Sequence, residues 1–102
     1  MNIGIDIIEC NRLTKVLNDK VFSANELEYI TKKGKALSTI AGLFAAKEAY
    51  FKAKGTGIIK SKLPTIEVGH RADGQPFFVN DPQAVLSISH TKTMAVAVCI
   101  IF

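Results

Sequence analysis

The chain has 102 residues, 48% of them hydrophobic and 22% charged, with a formal net charge of +4. That length supplies one core and predicts a single domain over residues 1–102, and a chain this short buries only about 60 to 70% of its unfolded surface, which favours association with further copies. The positive charge points to acidic partners, whether nucleic acid, anionic membrane, phosphorylated cofactors or an acidic protein surface. Basic residues spread from Arg12 to Lys92 fit a folded domain better than a disordered nucleic-acid arm, and the lack of a basic leader or of any apolar run near ~18 residues predicts a cytoplasmic protein that does not enter a membrane.

The first predicted element is a strand over Ile3–Ile8. Ile3, Ile5 and Ile7 alternate onto one face, read as the half-buried side, and Asp6 projects from the other. Asn11 is placed to cap a short helix running through Leu17. Ser23 and Glu26 form a capping-box pattern that opens a second helix, closed near Lys33 by Gly34. A third, longer helix follows, with Leu37, Ile40, Ala41, Phe44 and Phe51 at helical spacing around the strong helix formers Ala45-Ala46-Lys47-Glu48-Ala49, and Gly55 ends it. The last third changes period. Ile66 and Val68 alternate, Ala72-Asp73-Gly74-Gln75 reads as a turn, and Phe77–Val79 as a strand. After Pro82, Leu86–Ser89 and Met94–Ile101 form two more strands joined by a hairpin at His90-Thr91-Lys92-Thr93. A strand, about three helices and a run of largely antiparallel strands make an α+β domain. Cys10 and Cys99 lack the spacing of a metal clip or redox motif and are read as buried free thiols.

Two carboxylates stand out. Glu48 lies on the apolar stripe of the third helix, between Phe44 and Phe51, so it is partly buried and needs a nearby cation, whether Lys52 or a metal. The plain alternative is an exposed Glu48–Lys52 ion pair at i,i+4. Asp6 sits inside a strand, where aspartate is disfavoured; its plain alternative is the polar side of an edge strand. Together the two suit Mg2+, which takes one or two protein oxygens and keeps its other positions for water and phosphate. Lys52-Ala53-Lys54-Gly55-Thr56-Gly57 puts cations and flexible backbone past a helix end, where phosphate oxygens can be held, although helix-stop and loop glycines look the same. His90, Thr91 and Lys92 offer further phosphate-capable side chains at a strand end.

Gly4-Ile5-Asp6-Ile7, Phe44-Ala45-Ala46-Lys47-Glu48-Ala49, Lys52, Gly55-Thr56-Gly57 and Ser87-Ile88-Ser89-His90-Thr91, in this order and spacing, resemble the holo-acyl-carrier-protein synthases, the short bacterial branch of the 4'-phosphopantetheinyl transferases. The similarity runs from residue 3 to about 101. It implies a Mg2+-dependent cytoplasmic enzyme of fatty acid biosynthesis that moves phosphopantetheine from coenzyme A to a serine of acyl carrier protein. Position by position, the resemblance makes Asp6 and Glu48 the Mg2+ ligands and Lys52 a catalytic cation at the coenzyme A diphosphate. It places Gly55, Thr56, Gly57, His90 and Thr91 around coenzyme A, gives Glu48 the carrier serine's proton, and sets Arg12 against acidic residues of the carrier. It further implies a homotrimer with coenzyme A between adjacent subunits. Leu43 stands where many relatives have arginine, Lys54 replaces a usually apolar residue, and the stretch between Arg12 and Ser23 is shorter than in many of them.

Two other readings compete. A small basic RNA-binding domain would use Phe77 and Phe78 as a stacking platform, but consecutive strand residues point to opposite faces and no Lys/Arg-Gly-Phe signature is present. An inactive trimeric scaffold would keep the fold and lose the site, whereas Asp6, Glu48, Lys52 and His90 are all intact.

Overall fold

A computed structural model describes residues 1–14 and 18–102. The opening strand, β1 (Asn2–Glu9), alternates as expected, with its two faces exchanged. Ile3, Ile5 and Ile7 point outward and are 66%, 58% and 64% exposed, while Gly4, Asp6 and Ile8 face the interior. The isoleucines are therefore not the half-buried side. The cause is the long helix α2 (Leu37–Lys54), which lies directly on β1. A Cβ at Gly4 would overlap the Ala49 carbonyl oxygen and stand 2.6 Å from the Ala53 amide nitrogen. Only the face that carries a glycine admits the helix backbone, a close approach that strand glycines often mark.

A 3-10 helix, Cys10–Leu13, follows β1 with Glu9 at its N-cap and no side-chain cap bond. Asn11 thus lies inside this turn rather than capping a helix, because the Cys10 N–H is already bonded to the Thr93 carbonyl at 2.8 Å and Cys10 and Leu13 turn inward. Part of the helix expected to reach Leu17 lies outside the described residues. Helix α1 (Ala24–Lys32) opens with the full capping box: Ser23 Oγ accepts the Glu26 N–H, and Glu26 accepts the Ser23 N–H. Gly55, with φ of 74°, closes α2 in the left-handed conformation, as its position at the end of the helical pattern predicts.

Three strands pair antiparallel in the order β1-β5-β4, with β4 at Ala84–His90 and β5 at Met94–Ile101. The register sets Asp6 opposite Ala97 and Ala97 opposite Ile88. Two short strands, β2 (Val68–His70) and β3 (Pro76–Phe78), form a separate pair joined by the expected turn, where Gly74 has φ of 93°. The segment Lys60–Thr65, unassigned from the sequence, is a second 3-10 helix.

The core lies between α2 and the inner face of the sheet. Ala45, Ala46, Ala49 and Ala53 join Ile8, Leu86, Ala95, Ala97 and Cys99 in one buried cluster. Small side chains on both surfaces let helix and sheet approach closely. The larger apolar residues Phe22, Ile30, Leu43 and Phe78 fill the flanks, each worth roughly 1.5–3 kcal/mol of burial. Both cysteines are free and buried as expected, and burial pushes the Cys99 thiol up to about 11. No described helix is long and apolar enough to cross a membrane.

Candidate active site

The close seating of α2 on β1 brings together residues distant in the chain. Asp6, only 7% exposed, faces the helix from β1. Lys52, in the last turn of α2, reaches back and donates to Asp6 Oδ1 at 3.2 Å and to the Ile5 carbonyl at 3.0 Å. Its side chain is half exposed, so the ammonium also meets solvent. The salt bridge of Lys52 is thus with Asp6, and the simple i,i+4 pair with Glu48 is not formed.

Asp6 Oδ2 is buried and has no hydrogen-bond partner among the described residues. The group that acts on it is Glu48, one turn before Lys52. Burial comes first in raising the Glu48 carboxyl from 4.5 to about 7, followed by the close approach and charge of the Asp6 carboxylate, against opposing pulls from Lys52 and Arg12. Acceptor meets acceptor here unless Glu48 holds a proton, and a shared proton or a cation resolves such a pair. The donors are hard oxygens, one of them orphaned in the interior, which fits Mg2+. Among the described residues no group of three or more His, Cys, Asp or Glu side chains is arranged to hold a metal, and within them the carboxylate pair Asp6 and Glu48 is the set that could meet one.

Glu48 opens onto a cleft of about 610 Å³, walled chiefly by Val21, Phe44, Ile58, Leu63 and Pro64. Arg12 is exposed in the turn that follows β1, close enough for its charge to act on Glu48. The loop Gly55-Thr56-Gly57 begins three residues beyond Lys52 and is exposed, with both glycines at positive φ. A helix C-terminus carries partial negative charge, so anion binding there rests on lysine and on loop amides. Lys54 serves neither purpose: its ammonium is 3.6 Å from Asp81 Oδ2 and lies over the Tyr50 ring, whose hydroxyl donates to the same Asp81 oxygen.

His90 and Thr91 stand elsewhere. His90 ends β4, two strands from β1 with β5 between them, and borders a separate cavity of about 170 Å³ that also includes Ser38, Thr39 and His70. Thr91 Oγ1 accepts the Thr93 and Met94 N–H groups and so shapes the hairpin. Within one chain, Asp6, Glu48 and Lys52 come together, and His90 and Thr91 do not join them. Gly4 is the site residue whose role the sequence reading did not draw out; a glycine inside an isoleucine-rich strand was the available signal. Phe77 and Phe78 make no stacking platform, since Phe78 is 2% exposed and Arg71 covers the Phe77 ring at 4.7 Å.

Residues 2–99 match the 4'-phosphopantetheinyl transferase superfamily. The chain is 42% identical to a holo-[acyl-carrier-protein] synthase of Treponema denticola, over 99% of this chain and 97% of that protein. It is 45% identical to one of Bacillus cytotoxicus, over 95% and 91%. The crystal structure of a holo-(acyl-carrier-protein) synthase from Bacillus anthracis in complex with CoA (3',5'-ADP) superposes with a TM-score of 0.81 at 41% identity, covering 96% of this chain and 92% of that one.

Proposed function

The chain belongs to the 4'-phosphopantetheinyl transferase superfamily, and from that premise we propose that its single domain is a holo-[acyl-carrier-protein] synthase working in the cytoplasm. It transfers the 4'-phosphopantetheine of coenzyme A to a serine of apo-acyl carrier protein and releases adenosine 3',5'-bisphosphate. The observation that carries the site assignment is the orphaned Asp6 Oδ2 beside a Glu48 whose carboxyl titrates near 7.

Asp6 and Glu48 are the residues that would hold Mg2+, and the ion when bound supplies charge neutralisation and alignment to the coenzyme A diphosphate. Lys52, tied to Asp6 yet half exposed, places an ammonium where charge grows on the phosphate oxygens as the bond to the leaving group breaks. The exposed Gly55-Thr56-Gly57 backbone offers amides and a hydroxyl to the same phosphates. In the transfer, the serine Oγ forms a bond to the phosphorus that bears pantetheine, and the bridging oxygen leaves with adenosine bisphosphate. Glu48 takes the serine proton on its carboxylate; a carboxylate that would also hold a cation would be a modest base, so holding the cation would be its larger role. Exposed Arg12, beside this centre, meets the acidic surface of the carrier.

A homotrimer with coenzyme A between subunits fits two features of the chain. The outer face of the sheet presents Ile3, Ile5, Ile7 and Val85 at 48–66% exposure, an apolar patch that asks for a cover. His90 and Thr91, which assist coenzyme A in this reading, are set apart from Asp6 within the chain, so a neighbouring copy is their natural route to it.

The test is mass spectrometry of apo-carrier protein incubated with the enzyme, coenzyme A and Mg2+. The carrier gains one phosphopantetheine, and chelator abolishes the gain; an unmodified carrier under all conditions would reject the assignment.

A further inference from the structure

Lys47 precedes Glu48 on α2, yet its side chain is wholly buried and its ammonium makes three bonds: to Glu26 Oε1 at 2.7 Å, to the Leu63 carbonyl at 2.8 Å and to the Ile66 carbonyl at 2.9 Å. All three of its N–H groups are thereby satisfied. Glu26, equally buried, accepts the Ser23 N–H at 2.9 Å on Oε1 and the Val68 N–H at 2.8 Å on Oε2. One ion pair therefore joins α2 to the cap of α1, to the 3-10 helix Lys60–Thr65 and to the start of β2.

Two of these attachment regions supply lining of the cleft beside Glu48: Lys20 and Val21, just ahead of the Ser23 cap, and Ser61 and Leu63, whose carbonyl holds Lys47. Phe44 and Glu48 of α2 complete the lining. Two buried charges seldom stabilise a fold more than well-packed apolar side chains of similar volume, so stability alone is a weak reason for such a pair. Its bonds are directional and reach both lining segments, which is what fixing their relative placement requires.

We infer that Lys47 and Glu26 are a positioning pair: together they hold both lining segments to α2, so that the cleft next to Glu48 keeps the shape its substrates need. The inference rests on the transferase reading above and assigns neither residue a contact with substrate.

The double variant Glu26→Gln/Lys47→Met removes both charges at nearly constant shape, leaving no lone ion in the interior. Two readouts are compared with the wild-type enzyme: amide exchange over residues 60–68, and steady-state kinetics with coenzyme A and carrier. Exchange in that segment should quicken by at least about tenfold as its local opening becomes easier. Misplaced walls should lower kcat/KM by at least about tenfold, carried by KM, with kcat changed by less than about threefold. The thermal shift on adding Mg2+ should persist, since Asp6 and Glu48 are untouched. Glu26→Gln alone leaves the buried Lys47 ammonium without its counter-charge, a costlier defect than loss of both charges, and should quicken exchange over residues 60–68 at least as much as the double variant does. A folded double variant with wild-type KM, or with unchanged exchange over 60–68, would overturn the inference while leaving the transferase reading intact. Absence of transfer by the wild-type enzyme would instead fail the transferase reading.

Discussion

Replacing Glu48 with glutamine should make the metal-free protein more stable at pH 8, although it removes a carboxylate from the active site. In the folded chain burial and the close Asp6 carboxylate raise the Glu48 carboxyl from 4.5 to about 7. The folded state thus binds that proton more tightly than the unfolded chain does. The stabilisation from this group is complete below about 4.5 and is lost as pH rises through about 7, the direction set by proton linkage. At ~1.4 kcal/mol per pKa unit, forcing the charge onto Glu48 costs the fold up to about 3 kcal/mol, and partial solvent access trims this to roughly 1–2 kcal/mol. Glutamine keeps the size and carries no charge. For a domain of this length the gain corresponds to a melting point about 5–15 °C higher in chelator at pH 8. Circular dichroism melts at equal protein concentration provide the measurement. At pH 5 the wild-type carboxyl is largely protonated and the two proteins should melt within a few degrees of each other, while Mg2+ at pH 8 should raise the wild type more than the variant. A gain of equal size at pH 5 and pH 8, or a variant that melts below the wild type in chelator at pH 8, would refute the reasoning.

Gly4→Ala should force α2 away from β1, since its Cβ would stand 2.6 Å from the Ala53 nitrogen; overpacking costs ~1–3 kcal/mol, and turnover in the transfer assay should fall further than the melting point accounts for, because Asp6 and Lys52 span that contact. Arg12→Ala should raise the KM for carrier about three- to tenfold with kcat little changed, and should flatten the salt dependence of kcat/KM, as expected for an exposed charge that steers association. Ile5→Asp places a charge on the outer face of the sheet, where Ile5 is 58% exposed; sedimentation should show a shift toward monomer with the far-ultraviolet spectrum retained, and turnover should drop with the assembly.

Local features were legible in the chain because their causes are local. The capping box of Ser23 and Glu26, the left-handed Gly55 and the Gly74 turn each follow from side-chain or backbone preferences over a few residues, and each is found in place. The motif blocks around Asp6, Glu48 and Lys52 likewise identify the family without coordinates. What the sequence could not decide is which of two possible arrangements wins. Alternation in β1 defines two faces, but burial of the Asp6 side instead of the isoleucine side depends on Ala49 and Ala53 of α2, more than 40 residues along the chain, fitting over Gly4. A capping glutamate at position 26 gives no hint that its other bonds go to Lys47 and Val68. The separation of His90 from Asp6 follows from β5 inserting between β4 and β1. Sequence settles propensity, caps and residue chemistry, which are short-range; pairing order, close approach and the meeting of two like charges are long-range, and only the packed chain resolves them.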